Sequence, residues 1–509
     1  MQIFNIFDLL LNSAQKYPMK EAVIDSDRRY TYEQLYELSL RISNFLLEKG
    51  LKKGERVAVL MKKNIEMISS IFAIAHSGGI FVIINPILKP HQIHHIITDC
   101  EPSFVLTDEQ TTVPALHTNV NIIKISPDGR GLGSSYPLKI CHSVIGSDLA
   151  TIIYTSGSTG FPKGIMLSHE NLVMGARIVS DYLDISDEDR LLSLLSFSFD
   201  YGLNQLFTTV IKGATLILQD VFISAVVCEI LHKENITGLA MVPYIWSQLL
   251  GRFSPFTSMT FPQLRYITNS GGTISVEQVR LMQENLPNTQ IFLMYGLTEA
   301  FRSTYLSPDR LKDIPSSIGK AIPNVEILVI KEDGNCAQPG EEGELVHRGG
   351  VIAQGYWKDP KLTNAVFRCL PKNLSINFYE KAVYSGDIVV KDQEGYLYYR
   401  KRKDNLIKHL GYRISPDEIE SVVVRYHPVS VALVFGIPKI SGESQLVLVY
   451  MTFNGSPLKE EDILNFIEEN LPKYMLPDKF IFMKDIPLTA NGKPDRSALK
   501  TIVSLEEEI

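Results

Sequence analysis

A chain of 509 residues is longer than one compact core accommodates, so two or more domains are expected. Hydrophobic content of 45% with 21% charged residues is that of a globular protein, and a net charge of −7 gives no support to nucleic-acid or membrane-surface binding. No stretch offers the roughly 20 apolar residues of a membrane span. The five scattered cysteines, Cys100, Cys141, Cys228, Cys336 and Cys369, form no Cys-x-x-Cys pair. They indicate neither zinc nor a disulfide framework but buried thiols in a reducing compartment, with the cytoplasm as the expected location.

Residues 1–13 are apolar but carry Asp8 and no basic leader, which predicts an amphipathic first helix and not a signal peptide. A strand at 22–25 and a helix ending at Lys49 follow. Strands are then expected at 57–61, 80–85 and 104–107, separated by helices at 64–76 and 89–99. Residues 126–135 hold three glycines and a proline and predict an exposed connection. The apolar run 149–154 predicts a buried strand, and Ser168 is placed to cap a helix opening directly after the loop between them. Further strands are expected at 191–195, 214–218 and 238–242, with helices at 221–233 and 245–253. From about Ile327 the pattern is rich in strands and turns. A break falls at Arg402-Lys403-Asp404, beyond which helices at 415–426 and 459–471 alternate with strands at 430–435 and 446–453. The expected class is α/β, with a large N-terminal domain (1–402) of parallel sheets layered with helices plus a strand-rich subdomain. A small, mobile α+β C-terminal domain (403–509) completes it.

The loop Thr155-Ser156-Gly157-Ser158-Thr159-Gly160-Phe161-Pro162-Lys163-Gly164 combines glycines, hydroxyls and one lysine, the means by which a loop holds polyphosphate. A Walker loop needs lysine between glycine and a hydroxyl, whereas Lys163 lies between Pro162 and Gly164. A flexible surface loop is the alternative, but a linker needs neither the lysine nor the strand before it. Five further motifs are weak singly. Ser270-Gly271-Gly272-Thr273 lets a flat ring approach backbone; Tyr295-Gly296-Leu297-Thr298-Glu299 offers a stacking ring, a phosphate-binding hydroxyl and a carboxylate for Mg²⁺. Ser385-Gly386-Asp387 suits two ribose hydroxyls, or is a simple turn. The run from Arg402 through Arg413 is basic, and Lys493 sits in a turn-rich tail.

Taken in order, these motifs closely resemble those of the AMP-forming adenylating superfamily: acyl-CoA synthetases, peptide-synthetase adenylation domains and luciferases. The resemblance covers essentially the whole chain. It implies that Thr155, Ser156, Gly157, Ser158, Thr159, Gly160 and Lys163 wrap the β- and γ-phosphates of ATP. Gly271, Gly272 and Thr273 would border the adenine, with Tyr295 and Gly296 against it. Thr298 would meet the α-phosphate, Glu299 hold Mg²⁺, and Asp387 take the ribose with Arg402 nearby. Asp404 matches the hinge of the small domain, and Lys493 the catalytic lysine that joins substrate carboxylate to α-phosphate. After rotation of that domain, Lys408 to Gly411 would line the thiol channel. Ser385 stands where threonine is commoner, and Lys401 where a glycine–arginine pair is expected.

Substrate choice falls on residues 196–205. Phe199-Asp200 resembles the pair of peptide-synthetase adenylation domains in which the aspartate meets the substrate ammonium, with Asn204 one turn on. The implied activity is ATP- and Mg²⁺-dependent adenylation of an amino acid, proline or another small one, and its transfer to the phosphopantetheine thiol of a separate carrier protein. A structural Asp200, capping or pairing locally, leaves open an acyl-CoA ligase for a fatty or aromatic acid that uses coenzyme A. A non-catalytic nucleotide-binding relative would have no reason to keep Lys163, Glu299, Asp387 and Lys493 together.

Overall fold

The computed structural model describes residues 3–115, 120–127, 129–132, 143–155, 162–251, 254–272, 274–371, 381–403, 406–439, 443–452, 455–487 and 496–505. Ser156, Gly157, Ser158, Thr159, Gly160, Thr273, Asp404 and Lys493 lie outside them. The chain has a large N-terminal α/β domain and a small C-terminal one. The first helix runs Ile6–Lys16 and not from the terminus, because Asn5 and Asp8 cap it reciprocally.

The β/α rhythm that suggested a parallel sheet divides between two. In one, strands 290–297, 266–269, 238–241, 190–193, 215–218 and 21–25 run parallel, with antiparallel strands at both edges. In the other, 149–155, 80–84, 56–60, 104–107 and 121–124 are parallel. Periodicity marks a strand but not the sheet it joins, and the strand Glu21–Asp25 crosses to the far sheet, beside Thr215–Leu218. Between the sheets lies the helix Ile65–His76, all of whose residues are buried, with Phe72 edge-on to Phe207 of the helix Asp200–Lys212. The second helix was absent from the sequence-based expectation: it is buried from Tyr201 to Val210, and Asn204, Gln205, Thr208 and Thr209 lie inside with the apolar residues, so no polar face announces it.

A second difference concerns the glycine- and hydroxyl-rich loop. Its far side is not a helix but a strand, Lys163–Ser168, antiparallel to Leu149–Thr155, with Thr155 opposite Lys163. Ile165 and Leu167 are buried, and the helix His169–Tyr182 opens only afterwards, capped by Ser168 as expected. Leu149–Thr155 and Lys163–Ser168 are thus paired strands on either side of the loop, and the six residues of the second strand separate it from the helix N-terminus. The expectation that the cysteines are buried holds for Cys100 and Cys228, but Cys336 is half-buried and Cys369 exposed.

A third sheet includes Val325–Ile330, Glu342–Gly349, Lys381–Lys391 and Leu397–Arg402. Beyond it, the small domain packs the helices Pro416–Val423 and Glu460–Asn470 with a three-stranded sheet and a short hairpin. Gly319 ties the third sheet to the first through backbone bonds with Leu397 and close approach to Tyr305. Its φ is +83°, and an added Cβ would lie 1.9 Å from the Tyr305 carbonyl oxygen. Gly319→Ala is expected to cost about 3 kcal/mol of stability, read as a lowered denaturant midpoint.

Candidate active site

The strand Gln290–Leu297 carries Tyr295 near its C-terminal end, where its hydroxyl donates to Asp387 Oδ2 and its ring stacks on buried His347 at 6.2 Å. Asp387 faces Arg402 across paired strands, and Arg402 Nη1 donates to Asp387 Oδ1 at 2.9 Å. The turn before it is fixed by polar bonds. Ser385 Oγ donates to the Leu345 carbonyl at 2.6 Å and accepts the Asp387 N–H at 3.1 Å, while the Gly386 N–H donates to Glu344. Burial opposes the Asp387 charge, but Arg402, Arg413 and Lys408 outweigh it and hold the carboxyl below its ordinary range. Serine thus supplies the same bonds that threonine would.

Thr298 and Glu299 form the turn into the strand Ala300–Leu306, and Glu299 Oε1 accepts from the Tyr356 hydroxyl at 2.6 Å. They line a cavity of about 170 Å³ together with Thr155, Asp200, Gly271, Gly296, Arg402 and Gly411. An adjoining cavity of about 200 Å³ is bounded by Thr155, Lys163, Glu299, Gly386 and Arg402. Glu299 therefore stands between the two. Among the described residues no group of three or more His, Cys, Asp or Glu could enclose a metal. One carboxylate facing a space large enough for phosphates fits Mg²⁺ brought by a nucleotide, since that ion is commonly held by one or two carboxylates plus phosphate oxygens.

Asp200 opens the helix Asp200–Lys212, and the structure supplies it with a cation: Arg302 Nη2 is 3.2 Å from Asp200 Oδ2. Sequence reasoning reserved that position for a substrate ammonium and did not single out Arg302. The arginine is 2% exposed, has φ +83° and lies over the Tyr201 ring at 4.8 Å. A strained backbone carrying a buried charge persists only where its surroundings hold it. Asn204 is buried one turn further along the helix.

The small domain presents the hairpin Ile407–His409/Tyr412–Ile414, whose two turn residues, Leu410 and Gly411, both have positive φ. Such turns match the twist of the flanking strands. Its tip meets the large domain where Gly271, Gly272 and Gly411 close around Val242 and Pro243. Tyr412 stacks on Tyr474 at 3.8 Å and meets Phe199 edge-on at 5.2 Å. Desolvation and Arg413 push Lys408 down to about 8. Arg413, Glu418, Tyr474 and Met475 also line the main cavity, and Tyr356 meets it through Glu299. Only Arg413 lay within a motif, so the others had no local signal.

Glu418 accepts from Gln92 of the large domain at 2.9 Å, and its other oxygen is buried without a donor. Burial pushes its carboxyl up to about 7. The folded protein thus binds this proton more tightly than the unfolded chain, so this group's contribution to stability falls as pH rises from about 4.5 to 7 and is level above. Glu418→Gln is expected to remove a slope worth about 2–3 kcal/mol over that window, seen in melting temperatures taken across it.

Residues 10–357 match the model of the AMP-binding enzyme family, and 418–493 match that of the AMP-binding enzyme C-terminal domain. The chain belongs to the AMP-binding enzyme family. It carries both domains of the AMP-forming adenylating superfamily. It is 30% identical over 497 residues, 96% of its length, to gramicidin S synthase 2 of Brevibacillus brevis. It spans only 11% of that relative, and about a tenth of the other curated relatives it matches. A structure of a double mutant of o-succinylbenzoate CoA synthetase from Bacillus subtilis, bound with a product analogue, superposes with a TM-score of 0.86 at 27% identity. That match covers 97% of this chain and 98% of the other. The same enzyme in complex with an acyl-adenylate intermediate gives only 0.71 at 26% identity, covering 97% of both chains. No described helix of this AMP-binding enzyme is long and apolar enough to cross a membrane.

Proposed function

We propose that this AMP-binding enzyme activates a carboxylic acid, an amino acid in the favoured reading, as its adenylate and passes it to a phosphopantetheine thiol. The acceptor in that reading is a separate carrier protein. One observation carries the proposal: Thr298, Glu299 and Arg402 line adjoining cavities, one of which also includes Asp200, and Asp387 and Tyr295 are tied to them through the Arg402 guanidinium. Asp387 would accept the ribose hydroxyls. Thr155, Lys163 and the loop between them would hold the β- and γ-phosphates, and Thr298 the α-phosphate. A carboxylate attacking phosphorus brings two anions together, so cationic groups at that point stabilise the transition state beyond the separated reactants. Lys493 would bridge them in adenylation. Mg²⁺ held by Glu299 would offset phosphate charge. Release of pyrophosphate leaves the acyl-adenylate, and attack of the thiol sulfur on its carbonyl carbon expels AMP. The hairpin at Gly411 lines the cavity in the present arrangement, which supports a thiol-accepting state. The resemblance of that arrangement to a product-analogue complex supports it too.

A second reading, an acyl-CoA ligase, is favoured by two observations. Asp200 is already ion-paired to Arg302, and the chain matches a CoA synthetase along its whole length while spanning a small part of the peptide synthetases. Labelled pyrophosphate exchange into ATP, run with amino, aryl and fatty acids, tests both. Exchange with amino acids is the expected result. Exchange only with acids lacking an amino group would overturn the aminoacyl reading, and silence with ATP still bound would overturn ligase activity itself.

A further inference from the structure

We infer that Arg368 is a binding residue for the leaving group, meeting the terminal phosphates of ATP and the pyrophosphate released from it. This rests on reading the two cavities as the nucleotide site. Arg368 lies on the short strand Phe367–Cys369, opposite Ala382 of Lys381–Lys391, and falls in none of the sequence motifs. It lines the adjoining cavity of about 200 Å³, together with Thr155, Lys163 and Glu299, and is absent from the wall of the main one. Thr298, the residue for the α-phosphate, lines only the main cavity, whereas Glu299 lines both. The β- and γ-phosphates therefore extend past Glu299 into the space that Arg368 bounds. An arginine so placed meets ATP and pyrophosphate but not AMP.

The charges on this wall are unevenly matched. Among the described residues that bound the cavity, the cations are Lys163, Arg368 and Arg402. Arg402 is committed to Asp387 at 2.9 Å. Glu344, the ion-pair partner of Arg368, already meets Lys403 at 3.1 Å and accepts the Gly386 N–H at 3.0 Å. Arg368 Nη2 is 3.5 Å from Glu344, well beyond the roughly 2.7–2.9 Å of a strong charge-assisted hydrogen bond. What holds the guanidinium is Tyr384, whose ring centroid lies 3.5 Å beneath its central carbon. A separation that short is reached face to face. Such stacking occupies the flat face of the group and leaves its N–H donors, which lie in the plane, for other acceptors. A planar fork suits phosphate oxygens. In adenylation a carboxylate oxygen bonds to the α-phosphorus as the bond to the bridging oxygen breaks. The electron pair leaves with pyrophosphate, so the new negative charge arises beside Arg368, where a fixed cation stabilises it.

The test is equilibrium binding of ATP and of AMP, each with Mg²⁺, to the full chain and to Arg368→Gln, followed by pyrophosphate exchange. Arg368→Gln is expected to raise Kd for ATP at least about 5-fold and to leave Kd for AMP within about 2-fold. In exchange, KM for pyrophosphate should rise by a similar factor while KM for the acid stays unchanged. Thioester formation from supplied acyl-adenylate should not change, because pyrophosphate has already left. Arg368→Lys keeps the charge without the planar fork and is expected to fall between the other two. The side chain is 46% exposed, so both variants are expected to fold, and the lysine one keeps the comparison usable if the other does not. Equal weakening of ATP and AMP would make Arg368 a structural support only and overturn the inference, as would unchanged affinity for both. Exchange absent with every acid, while the wild type binds ATP and AMP, would overturn the ligase reading and leave the binding comparison to decide this one.

Discussion

Asp387→Asn is expected to lower kcat/KM for ATP by about two to three orders of magnitude while changing KM for the acid little. The carboxylate is 1% exposed, and its two oxygens already meet Arg402 and Tyr295, so it is held in one orientation before any nucleotide arrives. Hydrogen bonds to a charged acceptor are worth about 1.5–3 kcal/mol each, and a pair from two ribose hydroxyls at the lower end of that range gives about 3–4 kcal/mol, or that rate range. An amide of the same shape accepts through one oxygen and carries no charge. The variant also leaves Arg402, Lys408 and Arg413 around a neutral group, so part of the cost falls on the fold. Melting temperatures across pH separate the two effects. The Asp387 carboxyl lies below its ordinary range when folded, so its contribution to stability is full above about pH 4 and is lost as pH falls through the folded value. The asparagine variant should lose that acid-limb dependence. A variant with unchanged ATP kinetics would exclude Asp387 from the nucleotide site.

How much of this was legible in the sequence depends on whether a signal is local. Tyr295, Thr298, Glu299 and Asp387 announce themselves because a turn needs glycine and the chemistry needs a ring, a hydroxyl and carboxylates at short spacing. Ser168 was legible as a cap for the same reason. The hairpin at Lys163 was not, because the glycine-rich loop hides that a strand of six residues precedes the helix. Arg302 and Glu418 were invisible for a different reason. Their importance comes from partners far along the chain, Asp200 and Gln92, and no residue beside either one changes to advertise it. The Asp200–Arg302 pair also shows how a motif can carry an incomplete argument. A buried carboxylate needs a cation, and sequence alone could not exclude that the protein brings its own.

The small domain gives the other large effect. Gly411 has φ +80°, and an added Cβ would lie 2.7 Å from Val242 Cγ2 of the large domain. Gly411→Val therefore strains the hairpin turn and pushes its tip off the surface it now meets. Overpacking of that kind costs about 1–3 kcal/mol, which would depopulate the present arrangement roughly 10- to 100-fold. Adenylation, for which the hairpin is not required in the proposed scheme, should be spared. Thioester formation from supplied acyl-adenylate is thus expected to fall by about that factor, with pyrophosphate exchange within a few-fold of wild type. Lys493→Ala is expected to do the reverse, cutting exchange by about 10²–10³-fold and leaving the thiol step intact. Measuring both half-reactions in both variants gives a crossed pattern only if one cavity serves two steps by exchanging the face that the small domain offers it. Parallel losses in both variants would mean a single arrangement does all the chemistry, and Gly411 would then be no more than a turn residue.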